Sequence, residues 1–163
     1  MRESRNGNLM AARRGACLGL IGLLVLWPHT AGATLGSDAS SVAADRIRGQ
    51  GALISATSVG PYRVEEMQMA SGTTVREFTS STGQVFGVAW QGPWMPDLQQ
   101  LLGPYFDRYQ AAAQDAQARR SRGPIVLETP DLVIHSSGHA RAFTGSAFLP
   151  ALMPAGVQAQ SIH

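Results

Sequence analysis

The chain has 163 residues, one cysteine, eleven acidic side chains and thirteen basic ones, every one of them arginine. The net charge of +2 is weighted toward the N-terminus: Arg2, Arg5, Arg13 and Arg14 stand against Glu3 alone in the first fifteen residues. Without that segment the chain carries nine arginines against ten acids, which removes the basic excess a nucleic-acid binder needs.

Behind the basic stretch, Ala16 to Trp27 is a continuous apolar run of twelve residues, ended by Pro28 and followed by Ala31-Gly32-Ala33. A basic start, a short apolar stretch and small residues at an A-x-A site spell a secretory signal peptide over residues 1–33, cut after Ala33. The run is short of the roughly 20 residues a membrane-spanning helix needs, so no stable membrane span is expected after cleavage. The expected location is the periplasm or the extracellular medium. Gly15-Ala16 after Arg13-Arg14 does not suit a twin-arginine signal. Cys17 lies at the start of the apolar run, where a lipid-anchoring cysteine would follow it. Cleavage leaves a chain without cysteine, so disulfides contribute nothing to its stability even in an oxidising compartment.

About 130 residues remain, 34–163, the size of a single domain with its own core. Residues 34–41 are small and polar and read as a mobile leader. Val42 to Arg48 could form two helical turns capped by Ser41. Ala52 to Thr57 reads as a short edge strand, and Gly60-Pro61 as a turn.

Tyr62 to Trp90 is the organising stretch. Three runs rich in β-branched and aromatic residues, YRVEEMQM, TTVREFTSS and QVFGVAW, are separated by Ser71-Gly72 and Thr82-Gly83. Glycine supplies the positive φ of a tight turn, so the pattern predicts a three-stranded antiparallel meander. QVFGVAW is apolar at both parities and should be the most buried strand. In YRVEEMQM, Tyr62 and Val64 share one parity and Met67 and Met69 the other; a bulge at Glu65-Glu66, or a strand covered on both faces, would account for that. Gly87 and Ala89 share a face on which a helix could approach closely.

The helix itself begins near Pro96-Asp97. Leu98, Leu101, Leu102, Tyr105, Phe106 and Tyr109 form an apolar stripe at helical spacing. Pro104 lies inside it, removes one backbone hydrogen bond and predicts a kink or break, while the apolar phase runs through. Arg119, Arg120 and Arg122 fall in a polar linker. Strand patterns return at IVLET and LVIHSS and in HARAFTGSAFL, with Ser137-Gly138 as the expected hairpin turn. Residues 150–163, with Pro150, Pro154 and Gly156, read as an irregular tail. The fold class is α+β: an antiparallel sheet, made of the meander plus a C-terminal hairpin, packed on one long helix that is kinked at Pro104.

Constellations able to carry chemistry are few. Asp131, His135 and His139 with Glu128 are the one group resembling a metal site, but H-x3-H spans a turn here and the rings need not converge. Glu65, Glu66 and Glu77 lie on adjacent strands and read as charge on a solvated face rather than as a catalytic pair. Ser71 and Ser81 sit in turns without an activating histidine. Trp90, Trp94, Tyr105 and Phe106 read as core. His139 and Arg141, two apart on one strand, would share a face and could bind an anionic group, or else hold the hairpin. They are the first candidate site, with His135 and Asp131 behind them. No catalytic, cofactor-binding or metal residue is assigned and no cofactor is expected.

The segments GTTVREFTSSTGQVFGVAWQGPWMPDLQQLLGPYF and PDLVIHSSGHARAFTGSAFLP resemble a family of small exported proteins of Gram-negative bacteria, domain of unknown function 2844. The distinctive pieces are Val75-Arg76-Glu77, Val88-Ala89-Trp90-Gln91-Gly92-Pro93, Pro96-Asp97-Leu98, Gly138-His139 with Arg141-Ala142-Phe143, and Leu149-Pro150. Pro104 departs from the family pattern. The resemblance implies export and a single domain; it implies no activity, so no functional residue carries over. The expected role is that of an exported, non-catalytic binding or envelope-associated protein, with another envelope protein as a conceivable partner. The alternatives are a metal-dependent or hydrolytic envelope enzyme, and an assembly subunit that pairs through an exposed sheet edge.

Overall fold

The computed structural model describes residues 35–38, 51–120 and 123–163. The expected signal peptide, the helical turns at 42–48 and Arg122 lie outside them. Seven strands form one antiparallel sheet: β1 (Ala52–Val59), β2 (Tyr62–Gln68), β3 (Thr74–Ser80), β4 (Val85–Gly92), β5 (Ile125–Glu128), β6 (Val133–His139) and β7 (Ala142–Phe148). Their spatial order is β1-β2-β3-β4-β7-β6-β5. The expected meander and C-terminal hairpin are therefore one sheet, joined where β7 pairs with β4. Two runs of consecutive antiparallel strands meet edge to edge, and the helical segment bridges them.

That segment is α1 (Leu98–Leu102), a 3-10 turn at Gly103–Tyr105 and α2 (Phe106–Ala118). Asp97 caps α1, its carboxylate accepting from the Gln100 N–H at 3.0 Å. Pro104 has no N–H to continue the α1 ladder, and Gly103 turns to φ +50°, so the helix breaks where the sequence places the kink. The apolar phase survives the break. Leu98, Leu101 and Leu102 are buried on one side of it, and Tyr105, Phe106 and Tyr109 pack half-buried against the same core on the other.

Residues directly opposed across strands share a face, so the register sorts the sheet into two layers. The helix-facing layer holds Met67, Val75, Val88, Trp90, Ile134 and Ala147, covered by the helical leucines. Each valine, leucine, isoleucine or methionine among them contributes about 1.5–3 kcal/mol when fully buried. The second layer holds Phe78, Phe86, Ala89 and Phe148, and it is roofed by the tail through Ile162, with Val157, Met153 and Leu152 alongside. Tyr62, Phe78 and Phe86 cluster there, Tyr62 meeting Phe86 edge-on at 5.8 Å.

Cover on both faces of the sheet bears out the expected central strand and corrects other expectations. Every residue from Val85 to Trp90 is buried because β4 is the middle strand and both its faces are covered. β2 pairs with β3 without a bulge; its mixed parity reflects cover on both faces. Gly87 and Ala89 face the tail, not the helix, and Ile162 is what approaches Gly87. The carboxylates are not all on a solvated face. Glu65 and Glu77 stand opposite each other on the helix side, where Glu77 is fully buried and Glu65 nearly so, and Arg63 pairs with Glu65 at 3.0 Å. Within the expected leader, residues 35–38 are docked. Leu35 is buried in the core, its N–H reaching the Leu101 carbonyl, and Gly36 and Ser37 exchange main-chain bonds with Val85. A leucine among small polar residues was the sign of an anchor point.

The C-terminal hairpin turns later than expected. Ser137 and Gly138 lie within β6, and the turn is Ala140-Arg141, with Arg141 at φ +63°. Gly138 is small for a different reason: the Phe143 ring lies across it, where a Cβ would collide. Gly145 repeats the device under the Trp90 indole.

Candidate functional site

The residues marked first in the sequence do not converge. His139 ends β6 and Arg141 occupies the turn in a left-handed conformation, so they do not sit two apart on one strand; both are exposed. Asp131 leaves the histidines altogether. It takes a two-pronged contact from Arg108 on α2, at 2.7 Å from Nη1 and 3.2 Å from Nη2. Thr129, which accepts from Arg108 Nη2, stands 2.9 Å from the same carboxylate. Hydrogen bonds from Arg108 and then Thr129 hold the Asp131 carboxyl down at about 2, and the same contact raises the Arg108 guanidinium. This cluster ties α2 to the turn between β5 and β6. Among the described residues, no three His, Cys, Asp or Glu side chains gather closely enough to hold a metal ion.

His135 does reach a site. Its Nε2 lies 3.0 Å from Glu128 Oε1, a diagonal contact between β6 and β5. The ring belongs to a row that crosses the whole second face: Ser55, Glu66, Arg76, Ala89, Ser146, His135 and Val126, one residue from each strand. Arg76 pairs with Glu66 at 2.6 Å and donates from Nη1 to the His163 main-chain oxygen at 2.8 Å. That bond draws the end of the tail over the middle of the row. Gln160 O, 3.0 Å from His163 Nδ1, fixes the ring.

His163 thereby divides the polar face in two. Toward β5 lies an open groove of about 440 Å³, lined by Val126, Glu128, His135, Ser137, Thr144 and Ser146, with Pro124 at its rim. Toward β3 lies a smaller cleft of about 110 Å³ at Arg76, Gln91 and Thr144. The strands give the groove a rigid floor, and the pleat sets alternate side chains, Thr144 and Ser146 of β7 and His135 and Ser137 of β6, upright along it. The floor offers hydroxyls and imidazole as donors or acceptors and Glu128 as a carboxylate acceptor. Glu128 and His135 were visible in the sequence only as a loose cluster; Ser146, Thr144 and His163 were not singled out. Their signal is a register across three strands, which a linear pattern does not contain.

The family model described as a protein of unknown function, DUF2844, matches residues 31–162. No curated protein matches the chain, and no solved structure does.

Proposed function

The chain belongs to the DUF2844 family, whose function is unknown, and we propose from its own residues that it is an exported, non-catalytic protein that binds a small polar ligand in the groove of its second sheet face. One observation carries the binding reading: a pre-formed groove on a rigid strand floor, with imidazole, carboxylate and three hydroxyls directed into a single space. The ligand that fits this chemistry presents donors to Glu128 and acceptors to His135 and the β7 hydroxyls. Export rests on the basic start, the apolar run and Ala31-Gly32-Ala33. No helix among the described residues is long and apolar enough to cross a membrane.

The test of binding is a ligand-observed NMR screen of small polar compounds against the parent and Ser146→Tyr, which fills the groove. Hits that lose binding in the variant, at unchanged melting temperature, support the reading; hits bound equally by both proteins, or no hit with the parent, overturn it. Export is tested by N-terminal sequencing of protein from the periplasm or medium, expected to begin at Thr34. An intact Met1 in washed membranes contradicts it.

A hydrolytic reading draws on a separate observation. Ser146 stands directly opposite His135, which holds Glu128, so hydroxyl, imidazole and carboxylate occupy three consecutive strands. Labelling of Ser146 by a fluorophosphonate probe, abolished in His135→Ala, would favour it; an unlabelled protein sets it aside.

A further inference from the structure

The two edges of the sheet are finished differently. β5 is four residues long, follows Pro124, ends in Glu128 and lies under α2. Short length, proline, charge and a covering helix are the usual protections of a sheet edge. Among the described residues β1 has none of these and only the bulge between Leu53 and Ser55 interrupts it: it is eight residues long, carries neither charge nor proline, and all eight residues are exposed. Of the six exposed large hydrophobic side chains among the described residues, three are on it, Leu53, Ile54 and Val59. Both apolar layers also run out onto this strand. Leu53 continues the helix-facing layer beyond Met67, and Val59 the tail-covered layer beyond Tyr62. Among the described residues β1 pairs with β2 alone.

We propose that β1 is an interface for a second copy of this chain, the two β1 strands pairing antiparallel about a two-fold axis through Ala56. Self-pairing is favoured over a foreign partner by the composition of the strand. The two-fold sets Ala56 opposite itself and Ser55 opposite Thr57, small and uncharged residues on matching faces, so like charges never meet. A partner steered by charge would find nothing on β1 to read. The joint extends both layers across the axis into one continuous sheet of two copies. The bulge between Leu53 and Ser55 limits the ladder to the strand's centre and C-terminal half. An interface of this kind falls at the low end, below about 1,200 Å², so association in about the micromolar range is expected.

The experiment is sedimentation velocity on protein expressed as the full chain and recovered as the cell processes it, from about 1 to about 200 μM. The parent should pass from monomer to dimer across that range. Ala56→Lys sets two like charges opposite each other on the axis while leaving each lysine beside its own Glu65, so it should stay monomeric with the parent's melting temperature. Val126→Lys, on the other edge, should dimerise like the parent. Concentration-dependent hydrogen exchange supplies a readout that needs no variant: protection in the parent should rise at 52–59. A parent that stays monomeric, a dimer retained in folded Ala56→Lys, or protection rising elsewhere overturns the proposal.

Discussion

Truncating Leu102 to alanine tests the two-layer arrangement most directly. Leu102 is fully buried at the end of α1, in one cluster with Val88 and Trp90 of the middle strand. A buried Leu→Ala substitution costs about 2.7–5.0 kcal/mol, more when the surroundings cannot close over the gap. Two features hold this gap open. β4 is fixed between β3 and β7, and the helix is pinned on one side by the Asp97 cap and on the other by the break at Gly103-Pro104. We expect a loss of about 3–4 kcal/mol, in the middle of that range. A domain of this size has about 5–15 kcal/mol in hand, and each 1 kcal/mol moves its melting temperature by about 3–6 °C. Leu102→Ala should therefore melt about 10–20 °C below the parent by far-ultraviolet circular dichroism. The control is Val126→Ala on the exposed edge, expected within about 0.5 kcal/mol of the parent. If Leu102→Ala melts within about 2 °C of the parent, the helix does not seal the sheet and the two-layer reasoning fails.

Three further outcomes follow from other parts of the molecule. Asp131 has its carboxyl held below the ordinary value in the folded state, so the stabilisation it brings is present above about 3.8 and is lost as pH falls toward about 2. The melting-temperature gap between the parent and Asp131→Asn should accordingly close over that window, and a pH-independent gap would contradict the ion pair. Gly145→Ala drives a methyl group into the Trp90 indole and the His135 carbonyl, with an expected loss of about 1–3 kcal/mol or more in urea unfolding; an unchanged midpoint would mean that the indole does not lie there. Arg141 holds φ +63° without being glycine, so Arg141→Gly should raise stability by up to about 1 kcal/mol, whereas a lower melting temperature would show its side chain supporting the turn.

What could be read from the sequence was set by local chemistry. Ser71-Gly72 and Thr82-Gly83 turn where expected because each glycine takes φ +85°, and the leucine stripe found its face because helical spacing needs no distant partner. The α+β class with an antiparallel sheet followed from these. Reading failed where a residue answers to something far along the chain. Gly138 looked like a turn residue because nothing nearby shows that Phe143 lies on it. Glu77 looked solvated because nothing in its own strand shows that this face of the sheet is covered, and Asp131 looked like a neighbour of histidines because Arg108 comes from α2. The groove is the extreme case. Glu128, His135, Ser146 and His163 are brought together by pairing register and by the fold-back of the tail, and no spacing rule links them.

The pairing of β4 with β7 also decides how the chain must fold. Synthesis delivers β1 to β4 first, and a local meander can form at once from contacts between neighbours. Its last strand is the most apolar, however, and one side of it stays open until β7 arrives, after the helix, β5 and β6. Closing that long loop is an entropic cost met before any of its contacts exist, so folding should be slow for a domain of this length. Until then β4 offers one open, apolar edge, and this intermediate is the species most prone to aggregate or to engage a chaperone. A chain interrupted between Ala118 and Ala142 would keep every residue of α1 and α2 and still lack the strand that joins the two halves of its sheet.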